Sequence, residues 1–132
     1  MGLQMYAAVK MNRPVDKEKD FIFAGPYEMA MAGKDIRFDF VDIMTTVDRN
    51  DPTIIHICNK NPDYEYENTG SIATDGLKSI SEIRNFSVYA DDDSDLEPVE
   101  LLSVTFGLNP PYDEFQIRKD VLKNAVLSSE LP

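Results

Sequence analysis

"DIRFDFVDI", residues 35–43, alternates Ile36, Phe38 and Phe40 with Arg37 and Asp39. A two-residue period of apolar and charged side chains places one set on each face of an extended chain. The stretch therefore reads as a strand with one buried face. Just before it, "YEMAMAGK" (27–34) also reads extended, and "AGKD" with Gly33 can turn the pair into an antiparallel hairpin. Downstream, "RNDP" (49–52) closes a connection to the β-branched "TIIHICN" (53–59), which predicts a three-stranded meander over roughly residues 27–59.

Further along, Phe86, Val88 and Ala90 alternate in "FSVYA", and Leu102, Val104 and Phe106 alternate in "VELLSVTFGL". These two strands should turn those side chains inward, with the intervening stretch as their hairpin loop. Leu77, Ile80 and Ile83 recur at every third position and predict a short helix near 76–84. A C-terminal helix is expected through "EFQIRKDVLKNAVLSS" (114–129), capped by Asp113. Its apolar stripe would be Ile117, Val121, Leu122, Ala125 and Val126, although Phe115 and Ile117 also alternate as in a brief strand. The fold class that follows is α+β: one domain over residues 1–132, mostly antiparallel sheet in hairpins and meander, with a C-terminal helix.

The 132 residues suffice to bury a core without staples, and 42% hydrophobic with 28% charged content suits a globular chain. The charge is unusual: 24 acidic residues against 13 basic ones leave a net of −11. Two segments carry it. Residues 39–67 hold seven acidic and two basic side chains, and residues 91–112 hold six acidic and none basic. Such a field disfavours direct contact with nucleic acid or anionic membrane, and a basic protein surface is the natural complement.

Cys58 is the only cysteine, which fits a reducing compartment. No basic region followed by an apolar leader opens the chain, and no apolar run approaches 18 residues, so a cytoplasmic location is expected.

Chemistry-bearing motifs are few. Asp91, Asp93 and Asp95 fit the first positions of a twelve-residue calcium loop, but Leu96 stands where glycine is needed and Leu102 where the closing glutamate belongs. His56 and Cys58 share a strand face and offer two zinc ligands, with no further Cys or His to complete a set. As a nucleophile and base they lack an evident orienting group, and no glycine-rich phosphate loop or nucleophile elbow is present. No cofactor, metal or catalytic residue is expected.

What remains is acid beside tyrosine. "DYEYE" (63–67) and "VYADDDSDLE" (88–97) nominate Asp63, Tyr64, Glu65, Tyr66, Glu67, Tyr89, Asp91, Asp92, Asp93, Asp95 and Glu97 as partner-binding residues. Alternate strand residues project to one side about 6.6–6.8 Å apart, a spacing comparable to successive phosphates, so Asp39 and these acids can mimic a nucleic-acid backbone. Tyr27 and Tyr112 also lie near acids, and tyrosine suits an interface because its ring packs while its hydroxyl stays wet.

The expected function is a small, non-enzymatic acidic protein that engages a basic, even nucleic-acid-binding, protein surface. Acidic inhibitors made by phages and other mobile elements act in that manner. The alternatives are an assembly subunit that self-associates through sheet edges and, with least support, an enzyme using clustered carboxylates. The acidic stretch at 91–95 is expected to be dispensable for folding.

Overall fold

The computed structural model of the chain describes residues 3–31, 34–38, 43–61, 80–91, 93–108 and 114–129. Two sheets dominate it, and the architecture is α+β with predominantly antiparallel pairing. The strands are β1 (Leu3–Met11), β2 (Ile22–Met31), β3 (Lys34–Phe38), β4 (Ile43–Val47), β5 (Ile54–Asn61), β6 (Ile80–Ala90), β7 (Pro98–Leu108), β8 (Glu114–Gln116) and β9 (Leu127–Ser128). A five-stranded sheet runs β4-β5-β1-β7-β8, and a four-stranded sheet runs β3-β2-β6-β9. Among the described residues only β6 and β9 pair in parallel, over two residues.

The sheets share one core. Met5, Ala7, Val9 and Met11 of β1 alternate inward beside Ile55 and Ile57 of β5 and Leu101, Val104 and Phe106 of β7. Ala24, Tyr27 and Met29 of β2 and Ile80, Ile83, Phe86 and Val88 of β6 enter the same cluster from the other sheet. Tyr27 and Phe86 are register partners whose rings stack at 4.3 Å. β1 is the central strand of its sheet, although its Met and Ala side chains are weak strand formers.

The hairpin from β2 to β3 forms as expected, pairing Tyr27 with Phe38 and Met31 with Lys34. The 49–52 turn does lead into β5, but the strand that it joins to β5 is β4, which the sequence reading did not identify. The meander does not continue between them, because β3 lies in the four-stranded sheet and β4 in the five-stranded one. Two hairpins in two layers replace one ribbon of three strands. The acidic stretch likewise joins strands of different sheets, β6 and β7, so it crosses between layers and is no hairpin loop.

β-Bulges account for two further departures. Ile80 to Ile83 belongs to β6, where Ser81 and Arg84 are extra residues opposite β2. Each insertion stretches the inward spacing from two to three, so Ile80, Ile83 and Phe86 imitate a helical period while lying in a strand. The rest of the expected helix, residues 76–79, lies outside the described residues. In β7, Leu102 and Val99 are the inserted residues opposite β1. The bulge turns Leu102 outward and brings Leu101 into the core in its place. In β2 a third bulge holds Gly25 (φ 103°) and Pro26. Glycine tolerates that backbone, and proline, lacking an N–H, is confined within sheets to such places.

The C-terminal helix is shorter than expected. Glu114–Gln116 pairs with β7 as a strand, and α1 spans Lys119–Lys123 only. Its N-cap residue, Arg118, is extended and offers no side-chain cap, while Val121 is its buried residue. Asp113, the expected cap, lies outside the described residues. Of the expected stripe, Ile117 and Val121 are buried, Leu122 and Ala125 are partly so, and Val126 is exposed. Val126 instead lends its backbone to β6, its carbonyl accepting the Phe86 N–H at 3.0 Å. Among the described residues no helix is long and apolar enough to cross a membrane.

Candidate interaction surface

At the start of β2 the sequence "FIFA" places Ile22 and Ala24 toward the core and Phe21 and Phe23 toward solvent. Phe21 is 62% exposed and Phe23 46% exposed. Register pairing sets Phe23 opposite Tyr89, and the two rings stack at 5.5 Å with an interplanar angle of 22°. The ladder begins with Ile22 opposite Ala90, and Phe21 and Asp91 are the residues that flank that pair, both exposed. Exposed aromatic surface of this kind, beside polar groups, is typical of interaction sites.

The carboxylates next to it divide into two groups. Arg13 reaches across from the 12–20 segment, its Nη1 and Nη2 donating to the two oxygens of Asp20 at 2.9 and 3.0 Å. Its Nε donates to Asp95 at 2.7 Å. Asp20 is only 8% exposed as a side chain, whereas Asp95 is 83% exposed. The Arg13 fork, helped by the Asp16 N–H, holds the Asp20 carboxyl down at about 2. The same two carboxylates push the Arg13 guanidinium upward.

Asn12 completes the dock. Its side-chain nitrogen donates to the Asp95 carbonyl at 2.7 Å, and its oxygen accepts the Glu97 N–H at 2.9 Å. Leu96, at 3% exposure, plugs the loop into the core. Asp91, Asp93 and Glu97 point into solvent, and among the described residues no donor reaches their carboxylates.

Within the stretch 91–95, expected to be dispensable for folding, Asp91 and Asp93 have no donor among the described residues and Asp95 holds a largely exposed ion pair. Asp95 has a native partner in Arg13, and Leu96 is a core residue. Sequence reading missed the Arg13–Asp95 pair because the two residues lie 82 positions apart. It also missed Phe21 and Phe23, for which the alternation of "FIFA" is the available signal.

Of the nominated partner-binding residues, the structure stacks Tyr89 on Phe23, leaves Asp91, Asp93 and Glu97 exposed, and directs Asp95 to Arg13. Asp92 and all of Asp63, Tyr64, Glu65, Tyr66 and Glu67 lie outside the described residues, as do Asp39 and Tyr112. Tyr27 cannot serve as an interface anchor, because it is fully buried against Phe86, and that burial pushes its hydroxyl well above the ordinary tyrosine range.

On the outer face of the five-stranded sheet, His56 and Cys58 line a shallow hollow of about 320 Å³ with Tyr6, Ala8, Met44 and Thr46. His56 Nε2 lies 2.7 Å from Asp48 Oδ2, an orienting carboxylate that the sequence pattern did not reveal. Asp48 also accepts the Asn50 and Asp51 N–H groups, and with His56 as the main cause its carboxyl is held at about 2. The arrangement closes the 48–53 turn. Among the described residues no group of three His, Cys, Asp or Glu side chains is placed to hold a metal ion.

No known family model, curated protein or solved structure matches this chain.

Proposed function

We propose that the protein is a non-catalytic acidic binding protein that engages a basic surface of another protein in the cytoplasm, including one that ordinarily holds nucleic acid. The observation that carries this reading is the exposure of Phe21 and Phe23, with Tyr89 stacked on Phe23, together with the exposed carboxylates of Asp91 and Asp93 that follow Tyr89 in the chain. Aromatic rings supply contact area at little entropic cost, and unpaired carboxylates on a −11 chain steer a cationic partner toward them. Occupying a cationic groove in this way would block it, as an inhibitor or nucleic-acid mimic does.

The test is capture from native lysate, followed by identification of the retained partner and titration of the purified pair between about 50 and 200 mM salt. A basic partner is expected, with affinity falling as salt rises and falling again in a Phe21→Ala/Phe23→Ala variant. Binding indifferent to salt and to that variant removes the reading and promotes self-association. The second reading rests on a different surface, a mixed groove of about 490 Å³ between β7 and the C-terminal segment, lined by Val99, Leu122 and Leu127 together with Glu100, Lys119 and Lys123.

A further inference from the structure

We infer that β4 is a docking edge for a second copy of this chain, the two β4 strands pairing antiparallel about Thr45. The inference goes beyond the reading above and needs no basic partner. Its first support is a contrast among the strands that end the two sheets, β4 and β8 in one and β3 and β9 in the other. Proteins guard such edges with charge, brevity or bulges, because unpaired N–H and C=O groups recruit other strands. β8 and β9 are only three and two residues long. β3 carries Asp35 and Arg37, both exposed and tied to Arg84 and Glu28 respectively. β4, "IMTTV", has five residues, no charge, no proline and an unbroken register with β5.

The direction of its backbone groups follows from one bond. Asp48, the residue after β4, donates its N–H to the Ile54 carbonyl at 2.9 Å. Bonded positions alternate in an antiparallel ladder, so Met44 and Thr46 also bond to β5. Ile43, Thr45 and Val47 therefore turn their N–H and C=O groups away from β5, and among the described residues no strand pairs with them.

These outward residues are self-complementary. With Thr45 opposite Thr45 of the second copy, Ile43 falls opposite Val47 and Val47 opposite Ile43. Every outward residue then meets an outward residue, and each such pair exchanges both hydrogen bonds. On the inward flank, Thr45 and Val47 border a hollow of about 340 Å³ with Val15, Ile22 and Ile55, which leaves room for side chains of an added strand. Charge favours the same place. On a chain of net −11, an uncharged edge lets two copies meet without apposing open carboxylates, and Asp48 beside it is engaged by His56.

Sedimentation equilibrium of the full chain, carried up to millimolar concentration, is expected to show a species of twice the 15.0 kDa chain mass. Raising salt from about 50 to 200 mM should tighten this dimer by screening repulsion between like-charged copies, whereas it weakens binding to a basic partner. Thr45→Pro removes an outward N–H that an edge strand tolerates losing, and should weaken the dimer about a hundredfold. Thr45→Ala keeps that N–H and should change the affinity by less than about threefold. Amide exchange in the unmodified protein reads the same edge without a substitution that could unfold it. The Thr45 and Val47 amides should gain protection as concentration rises, while Met44 and Thr46 are protected throughout. A monomer at every concentration, a dimer weakened by salt, or exchange at Thr45 and Val47 independent of concentration overturns the inference and leaves the basic-surface reading standing. A dimer that persists unchanged in a folded Thr45→Pro variant overturns its assignment to β4.

Discussion

Two acidic turns of this protein use the same residue type to different ends. In the 48–53 turn both carboxylates are fully engaged. Asp48 accepts two backbone N–H groups at 2.8 and 3.0 Å and meets His56, while Asp51 accepts the N–H and hydroxyl of Thr53 and the Lys10 ammonium. Thr53 chiefly, with Lys10, lowers the Asp51 carboxyl from its ordinary range. Among the described residues of the 91–97 loop only the Asp95 carboxylate is engaged, through Arg13, and Asp91, Asp93 and Glu97 remain open. Counting carboxylates does not separate structural acids from available ones. Which donors the backbone presents to them does.

The largest effect that bears on this contrast should come from Leu96→Ala. If the 91–97 loop were only a solvated connection, the change would cost little; as a core plug it should cost about 2–5 kcal/mol. Urea unfolding of the two proteins measures it. A loss below about 0.5 kcal/mol would return the whole loop to the solvated class.

Acid titration sharpens the comparison next. Asp20 and Asp48 titrate lower in the folded chain than in the unfolded one, so they contribute stability above the ordinary carboxylate value of about 4. That contribution should disappear as pH falls through about 2. Asp20→Asn with Asp48→Asn should therefore be less stable than the unmodified protein at pH 6, and the gap should close toward pH 2. Denaturation midpoints across that range follow it, and a gap that is constant with pH would mean the loss is steric.

Smallest should be the effect of Asp91→Asn with Asp93→Asn, within about 0.5 kcal/mol at neutral pH and of either sign. Relief of repulsion favours the stabilising sign. A loss well above that figure would reveal that these acids, like Asp48, have native donors.

Alternation made much of the fold legible. The β2–β3 hairpin, strand β5 and the inward positions Phe86, Val88, Val104 and Phe106 all follow from the strand patterns read along the chain, whereas β4 was not read as a strand. Bulges are what alternation cannot carry, since each shifts the phase by one residue without any mark in composition. Ile80 and Ile83 consequently looked helical, and Leu102 looked buried. β1 was obscured for another reason: its inward set of Met5, Ala7, Val9 and Met11 contains only one β-branched residue.

At the surface, the acidic loop was visible and its division was not. Arg13 and Asp95 meet only when two distant segments are brought together by the sheets. For Phe21 and Phe23, hydrophobicity alone points inward, whereas Phe23 stacks on its register partner Tyr89 and both phenylalanines are exposed.

The position of β1 bears on how the chain reaches this structure during synthesis. Leu3 pairs with Asn61 on one side and with Leu108 on the other. A growing polypeptide therefore carries β1 with one open hydrogen-bonding edge until β7 has left the ribosome, some ninety residues later. Over that interval an apolar, unpaired strand is available to any neighbouring edge, including that of another nascent copy. Closure of the five-stranded sheet is thus tied to the late arrival of β7, and pairing across such separations places this topology among the slower folders.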